Sequence, residues 1–294
     1  MCTAVTYNTS DHYFGRNLDL EYSYAESVTV TPRGLPLTFR RHTTLFEHYA
    51  MIGMAHVSEG YPLYYDAMNE KGLAVAALRF TDSAPYAKTA KGIASFEIIP
   101  FLLGSCACLD DVKEALYSQS ITDDHFSHKL QNTPMHWMVT DKSGSAVIEQ
   151  SENGIKIFHN PAGVLTNNPR FDRQLENSSR FSYIPYGLSS EERFVRAVYV
   201  KNRSVSGTSE AESISQFFHI LSSVSQIRGL NITDDGSFEI TRYSSCMNLD
   251  RGIYYYTTYE NSRITAVNMN STALDGEELI SFPLTTAQDI RRIN

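Results

Sequence analysis

The sequence predicts an α+β fold in which antiparallel sheets and helices form separate layers. Short extended segments joined by turn residues fill both ends of the 294-residue chain, and segments with helical spacing lie between them. Strands, then helices, then strands favour layered packing over alternating βαβ units. No repeat, low-complexity tract or linker rich in proline and glycine divides the chain, so we expect one domain over residues 1–294.

The first twenty residues predict a β-hairpin. Residues 2–7 are rich in β-forming side chains, residues 8–11 are turn formers, and residues 13–20 are again extended. Residues 72–80 form a nearly continuous run of small apolar side chains, which indicates a buried strand. Residues 41–66 carry many aromatic and histidine side chains with no steady period, and there we expect loops over a cavity.

Helices are predicted in the middle of the chain. Residues 96–103 are apolar on most sides, and residues 110–117 begin with acidic residues and carry apolar side chains at helical spacing. Two further helices are predicted by a serine followed three residues later by a glutamate, a capping box whose hydroxyl and carboxylate bind unpaired amides of the first turn. These pairs are Ser189 with Glu192 and Ser209 with Glu212. Strands are predicted between and after these helices, over residues 136–140, 146–150, 239–244, 252–259 and 263–269.

Charge and composition exclude several classes of protein. The chain carries 25 basic and 33 acidic residues, and the resulting net charge of −8 is spread along it. Such a surface repels phosphate backbones and acidic membranes, so we expect no nucleic-acid or membrane partner. The nine histidines and four cysteines lack the spacing of a metal site or a disulfide framework. No secretory signal is visible, and we expect a cytoplasmic protein without metal or cofactor.

The cysteine at position 2 is a candidate nucleophile. The initiator methionine is commonly removed before a small residue, which would make Cys2 the first residue of the mature chain. An α-amine, with an ordinary pKa of about 7.7–8.0, can accept a thiol proton directly or through one water. Nucleophile and base would then share one residue. The alternative is an incidental cysteine, which this signal alone does not exclude.

A second candidate cluster lies in the segment from residue 15 to residue 19, whose sequence is GRNLD. If Tyr7 pairs with Tyr13 in the hairpin, Arg16 lies diagonally next to Cys2 on the same face of the sheet. Its guanidinium would then favour a thiolate. Asp19 is three residues from Arg16, so its side chain points to the opposite face of the sheet. It reaches the site only where the strand bends or ends. A shift of one residue in register would break this argument, and a surface pair of Arg16 with Asp19 is the alternative.

Eight motifs along the chain resemble, in the same order, those of the choloylglycine hydrolase family. The motifs are residues 1–3 (MCT), 15–19 (GRNLD), 69–73 (NEKGL), 165–169 (LTNNP), 193–196 (RFVR), 227–229 (IRG), 243–246 (YSSC) and 252–256 (GIYYY). The family comprises bile salt hydrolases and penicillin V acylases, which are N-terminal-nucleophile hydrolases. The resemblance implies a four-layer αββα sandwich, in which two antiparallel sheets lie between helical layers.

The resemblance also implies roles for individual residues. Cys2 matches the nucleophile, and Arg16 and Asp19 match the pair that positions its thiol and amine. Asn167 matches the residue whose side-chain amide donates to the oxyanion, and Arg228 matches an arginine near Cys2. From the residues alone, Asn167 is equally well a turn residue and Arg228 a cation at the end of a helix.

Arg79 departs from the family pattern. Bile salt hydrolases carry asparagine and penicillin V acylases carry tyrosine at this position. The family uses the backbone N–H of this residue as its second oxyanion donor, and every residue except proline supplies one, so we expect catalysis to survive. The Arg79 cation could pair with the carboxylate or sulfonate of a conjugated bile acid. The alternative is a side chain turned towards a local carboxylate.

The implied reaction is hydrolysis of a linear amide, with conjugated bile salts as the expected substrates and glycine or taurine as a product. Penicillin V, another acyl amide such as an N-acyl homoserine lactone, and binding without turnover are the alternatives. The side chains expected to contact the apolar acyl group are Tyr24, Met54, Tyr61, Tyr65, Phe126 and Met135. Core packing explains each of these equally well. The resemblance further implies a homotetramer, with residues 186–205 as the assembly segment.

Overall fold

The structure is a computed structural model, and it describes residues 1–81, 84–89 and 91–294. The strands in these residues are β1 Cys2–Asn8, β2 His12–Leu20, β3 Ser27–Thr31, β4 Met51–Ser58, β5 Tyr61–Asn69, β6 Ala74–Arg79, β7 Ile93–Ala94, β8 Ile121–Thr122, β9 Met135–Asp141, β10 Gly144–Ser151, β11 Gly154–His159, β12 Val164–Leu165, β13 Ile240–Asn248, β14 Ile253–Thr258, β15 Thr265–Asn268 and β16 Ile280–Pro283. The helices are α1 Ile98–Ser105, α2 Leu109–Leu116, α3 Phe171–Ser178, α4 Ser190–Arg203 and α5 Glu210–Ser222.

Two large antiparallel sheets form the centre of the molecule. One has six strands in the order β12-β1-β2-β13-β14-β15, and the other has eight in the order β11-β10-β9-β6-β5-β4-β3-β16. Helices α1 and α2 pack on the eight-stranded sheet, whereas α4 and α5 pack on the six-stranded sheet. Strands β1 and β2 contact β6 of the other sheet. This order of layers confirms the predicted αββα sandwich. No helix in the described part of the chain is long and apolar enough to cross a membrane.

The predicted N-terminal hairpin is confirmed together with its register. Tyr7 pairs with Tyr13, and Cys2 therefore pairs with Leu18 at the other end of the hairpin. The turn formers between the strands and the alternation within them determine this register, because a shift of one residue would move every buried side chain to the opposite face.

Both capping boxes are also confirmed. The Ser189 hydroxyl accepts a hydrogen bond from the Glu192 N–H at the start of α4, and Ser209 and Glu212 repeat the arrangement at the start of α5. The boxes fix where these two helices begin, and thereby which of their residues face the six-stranded sheet.

The prediction of loops over residues 41–66 is wrong for more than half of the segment. Strand β4 and the first six of the nine residues of β5 lie there, in the middle of the eight-stranded sheet. The first five residues of β4 are all buried. Since a strand covered on both faces does not alternate between apolar and polar residues, the segment lacks the period that identifies a half-exposed strand.

Candidate active site

Cys2 is the first residue of β1, which lies between β12 and β2. Its side chain is buried, with 4% of its surface exposed. Met1 is still attached, so the Cys2 nitrogen is a peptide nitrogen and marks the place that an α-amine occupies once Met1 is removed. Its N–H donates to Asn167 Oδ1 at 2.8 Å. The Met1 ammonium donates to the backbone oxygen of Asp19 at 2.9 Å and forms an ion pair with Glu239.

Arg16 lies on the face of the hairpin that the predicted register gives it, paired with Ala4. Its side chain is fully buried and extends to the facing sheet, where Nη1 donates to the backbone oxygens of Tyr65, at 3.2 Å, and of Ala77. Burial alone would lower the pKa of Arg16, but electrostatic interactions with Cys2, Tyr243, Asp66 and Asp19 outweigh it and raise that pKa. The Arg16 guanidinium is thus a permanent cation close enough to Cys2 to interact with it electrostatically.

A β-bulge provides one of the two backbone oxygens that bind Arg16. Met54 pairs with Asp66 and Ala55 pairs with Tyr64, so Tyr65 is an extra residue without a partner in β4. The pairing of β5 with β6 ends at Asp66. Beyond this point the two strands separate, and their free carbonyl groups accept hydrogen bonds from the guanidinium instead of completing the sheet.

Asp19 lies beside the N-terminus. Its backbone N–H donates to the oxygen of Met1 at 3.0 Å, and its Oδ1 accepts a hydrogen bond from the Thr241 hydroxyl at 2.7 Å. Its Oδ2 is buried and has no hydrogen-bond partner among the described residues. Burial raises the pKa of Asp19, although the N-terminal ammonium and Arg193 act in the opposite direction.

Asn167 and Arg79 lie side by side with the groups expected of an oxyanion site. Asn167 Nδ2 donates to the backbone oxygen of Arg79 at 2.8 Å, which leaves its second hydrogen available. The Phe80 N–H donates to the oxygen of Pro134, the residue before β9, so the backbone groups of Arg79 point to the opposite side of β6 by the alternation of an antiparallel ladder. There β5 has already separated, and the Arg79 N–H has no partner in that strand.

Arg193 is the site residue that the sequence analysis missed. It lies in the first turn of α4 and is fully buried. Its guanidinium donates to the backbone oxygen of Cys2 at 2.6 Å, to Thr3 Oγ1 at 2.7 Å and to Asn167 Oδ1 at 2.8 Å. Burial lowers the pKa of Arg193, against the effect of Asp19 and Cys2, yet an arginine stays protonated. An arginine on the buried face of a helix that follows a capping box was the available signal.

The arginine expected near Cys2, Arg228, contacts a different part of the molecule. Its side chain is exposed, and its guanidinium lies 5.2 Å from the centroid of the Tyr259 ring. The backbone N–H of Arg228 donates to the Tyr259 hydroxyl. Among the described residues, no hydrogen bond or ion pair joins it to Cys2. A position of Arg228 near Cys2 therefore stays a prediction, whereas the arginine that hydrogen-bonds to Cys2 is Arg193, because α4 packs on β1 and β12.

The predicted substrate-binding residues are dispersed. Met54 is buried in the core between the sheets, and Met135 pairs with Arg79 across β6 and β9. Tyr65 is half-buried at the bulge that binds Arg16, and Tyr24, in the connection between β2 and β3, lies near it. The Arg79 side chain is exposed, and the described residues contain no ion pair to it.

Tyr61 and Phe126 line a cavity of about 480 Å³, together with Phe96 and Arg40. The Tyr61 and Phe126 ring centroids are 5.9 Å apart, and the Arg40 guanidinium lies 5.8 Å from the centroid of Phe126. The Tyr61 hydroxyl is buried without a partner among the described residues. The described lining does not include Cys2, so a role for this cavity in substrate binding stays a prediction.

Comparison with known proteins identifies the family. The family of linear amide C–N hydrolases of the choloylglycine hydrolase type matches residues 2–187 and 178–282. The bile salt hydrolase/transferase of Lactiplantibacillus plantarum is 46% identical to the chain, and that of Clostridium perfringens is 33% identical, each over the full length of both proteins.

Solved structures agree with these sequence matches. The C2A mutant of conjugated bile acid hydrolase from Clostridium perfringens superposes with a TM-score of 0.93 at 32% identity and full coverage of both chains. Penicillin V acylase from Agrobacterium tumefaciens, at 21% identity, has the same fold with a TM-score of 0.83 over 97% of this chain and 92% of its own. The fold is thus that of an N-terminal-nucleophile hydrolase that acts on amides. Within that class, the chain belongs to the choloylglycine hydrolase family.

Proposed function

We propose that this enzyme hydrolyses the amide bond of bile salts conjugated to glycine or taurine, with Cys2 as its nucleophile. The observation that carries the proposal is that the buried Cys2 hydrogen-bonds to Asn167 and to Arg193, beside the strand β2 that carries the buried Arg16 and Asp19. The names of the full-length relatives support bile salts as the substrate class.

In the proposed reaction the Cys2 α-amine accepts the thiol proton, and the sulfur attacks the carbonyl carbon of the substrate. The negative charge that develops on the carbonyl oxygen is stabilised by Asn167 Nδ2 and the Arg79 N–H. When the C–N bond breaks, the α-ammonium returns the proton to the leaving amine, which departs as glycine or taurine. Water then attacks the acyl-thioester, the amine again accepts a proton, and the free bile acid leaves with the thiol restored.

Several residues have defined supporting roles in this reaction. Arg16 keeps a positive charge near the sulfur, and Asp19 binds the freed amine through its unpaired Oδ2. Arg193 holds the Cys2 strand against Asn167. The Arg79 side chain is free to meet the carboxylate or sulfonate of the substrate, because no ion pair within the described residues engages it. Tyr61 and Phe126 would contact the apolar acyl group.

Penicillin V and other acyl amides are the second candidate class of substrates. Arg79 is neither the asparagine expected of a bile salt hydrolase nor the tyrosine expected of a penicillin V acylase, so this position does not decide between them. A ninhydrin assay of amine release from glycocholate, taurocholate and penicillin V compares them directly, with Cys2→Ser as control. We expect release from at least one bile salt, and none by the variant. Faster turnover of penicillin V would replace the proposed substrate, and ligand binding without turnover of any amide would remove the proposed activity.

The proposal includes a cytoplasmic homotetramer. Residues 186–205, expected to mediate assembly, form the end of a loop and helix α4, and the exposed Tyr183 and Tyr186 lie in that loop. Exposed aromatic side chains are enriched at protein interfaces. Light scattering coupled to size-exclusion chromatography tests the assembly. A mass about four times the chain mass of 33.1 kDa is expected, and a monomer would contradict it.

A further inference from the structure

His136 is buried behind the oxyanion site and contacts both of the segments that form it. Its side chain is fully buried in β9. Nε2 lies 2.7 Å from the backbone oxygen of Thr166, the residue before Asn167. The His136 ring also stacks on Phe80, the residue after Arg79, with centroids 4.4 Å apart and ring planes at 5°. No step of the proposed reaction uses this histidine.

The peptide group between Thr166 and Asn167 is held at both ends. Its oxygen can only accept a hydrogen bond, so the Nε2 of His136 carries the hydrogen and donates. Its N–H, which belongs to Asn167, donates to the Ser190 hydroxyl at 2.9 Å. With both ends bonded, the plane of this peptide group is fixed, and so is the direction in which the Asn167 side chain leaves the backbone.

The orientation of the His136 ring is fixed in turn by Glu149. Its Nδ1 lies 3.2 Å from Glu149 Oε1, which also accepts the N–H of Phe171 at 2.9 Å. Arg170 lies 3.8 Å from the other oxygen of the same carboxylate. Glu149 is itself buried, with 2% of its side chain exposed. This arrangement leaves Nε2 as the only ring nitrogen directed at the oxyanion site.

From this geometry we propose that His136 is a positioning residue for the oxyanion site. It acts through the Thr166 oxygen to direct the Asn167 amide, and the stack with Phe80 adds little to this positioning. The inference rests on the proposed amide hydrolysis. Because a misplacement of about 1 Å can cost about 100-fold in rate, loss of this contact should reduce turnover without altering thiol activation.

The test uses three variants that keep different parts of the contact. His136→Gln can place its amide nitrogen where Nε2 lies, His136→Asn can reach only the position of Nδ1, and His136→Phe keeps the stack alone. We expect kcat for a conjugated bile salt to fall about 10- to 100-fold in His136→Asn and His136→Phe, and to stay within about threefold in His136→Gln. The rate of Cys2 alkylation by iodoacetamide should stay within about twofold in all of them.

His48 provides a matched control. It is also buried, and its ring nitrogens lie 2.9 Å from the Tyr49 oxygen and 2.6 Å from the Leu35 oxygen, but within the described part of the chain it makes no hydrogen bond to a residue of the site. We expect His48→Asn to alter stability while the kcat of the folded enzyme is kept. An equal loss of kcat in the His48 and His136 variants, or an unchanged kcat in His136→Asn, would overturn the inference.

A measurement independent of activity separates this inference from the proposed function. Hydrogen exchange at the Asn167 amide, read by mass spectrometry, should be faster in His136→Asn than in His136→Gln or the wild type. Unchanged exchange would refute the positioning role even in an active enzyme. If the wild type releases no amine from any conjugate, the proposed function fails, whereas the contact to Thr166 is still judged by the exchange rates.

Discussion

Replacement of Arg193 by methionine or lysine tests whether one buried guanidinium joins the Cys2 strand to the Asn167 amide. The guanidinium binds Cys2, Thr3 and Asn167 over 2.6–2.8 Å. A hydrogen bond from a charged donor contributes about 1.5–3 kcal/mol, and a buried acceptor that loses its donor costs about 1–3 kcal/mol. Since these bonds share one group and do not add, we expect Arg193→Met to lower the free energy of unfolding by about 3–5 kcal/mol.

The effect of Arg193→Met on turnover follows from the Asn167 side chain. Its Oδ1 accepts hydrogen bonds from Arg193 and from the Cys2 nitrogen, and these two bonds keep Nδ2 directed at the oxyanion position. With one of them lost, we expect kcat to fall by about 30- to 100-fold and KM to change less than about threefold. Arg193→Lys keeps the charge but not the forked set of donors, so its kcat should lie between that of the wild type and that of Arg193→Met. Amine release and urea unfolding are the two assays.

Arg196 on the same helix is the matched control. It is also buried, and its guanidinium donates to the backbone oxygens of Ser223, Pro185 and Gly187 over 2.6–2.9 Å. Arg196→Met should lose comparable stability and keep the kcat of its folded fraction. Equal losses of kcat in both methionine variants, or an unchanged kcat in Arg193→Met, would refute the assigned role of Arg193.

Three further predictions concern the pH dependence of stability, the role of Arg79 and the cavity lined by Tyr61 and Phe126. Burial lowers the pKa of Lys201 to about 8, below its value of about 10.4 in the unfolded chain, so the unfolded chain binds more protons between these values and stability should rise with pH there. Between pH 7.5 and 9.5 the free energy of unfolding of the wild type, measured in urea, should rise by about 1–2 kcal/mol relative to that of Lys201→Met. An equal dependence of the two free energies on pH would contradict this prediction. Arg79→Pro should abolish turnover by removing a backbone donor, whereas Arg79→Asn should keep kcat and change the ratio of glycocholate to taurocholate turnover; identical ratios would rule out a role for the cation. Tyr61→Ala and Phe126→Ala should raise KM about 10-fold with kcat retained, and an unchanged KM would place substrate elsewhere.

The part of the site that depends on neighbouring strands could be predicted from the sequence. Turn residues and alternation fix the register of the first hairpin, and that register brings Arg16 to the same face as Cys2. Asn167 lies beside the Cys2 nitrogen, and its role as an oxyanion donor stays a prediction that the resemblance supplies.

The contacts between layers could not be predicted in the same way. Arg193 reaches Cys2 only because α4 packs on β1, and the capping box that predicts α4 does not indicate which strand the helix packs on. The bulge at Tyr65 arises from a mismatch in pairing with β4, which no pattern within β5 reveals. Central strands covered on both faces also lose the alternation that would identify them, as in residues 51–58.

Mass spectrometry of the enzyme trapped during turnover tests the central claim most directly. Rapid acid quenching with a conjugated bile salt should reveal a chain that lacks Met1 and carries one acyl group, and peptide mapping should locate that group on the Cys2 sulfur. A fully active enzyme that retains Met1, or an acyl group on any other residue, would contradict the account.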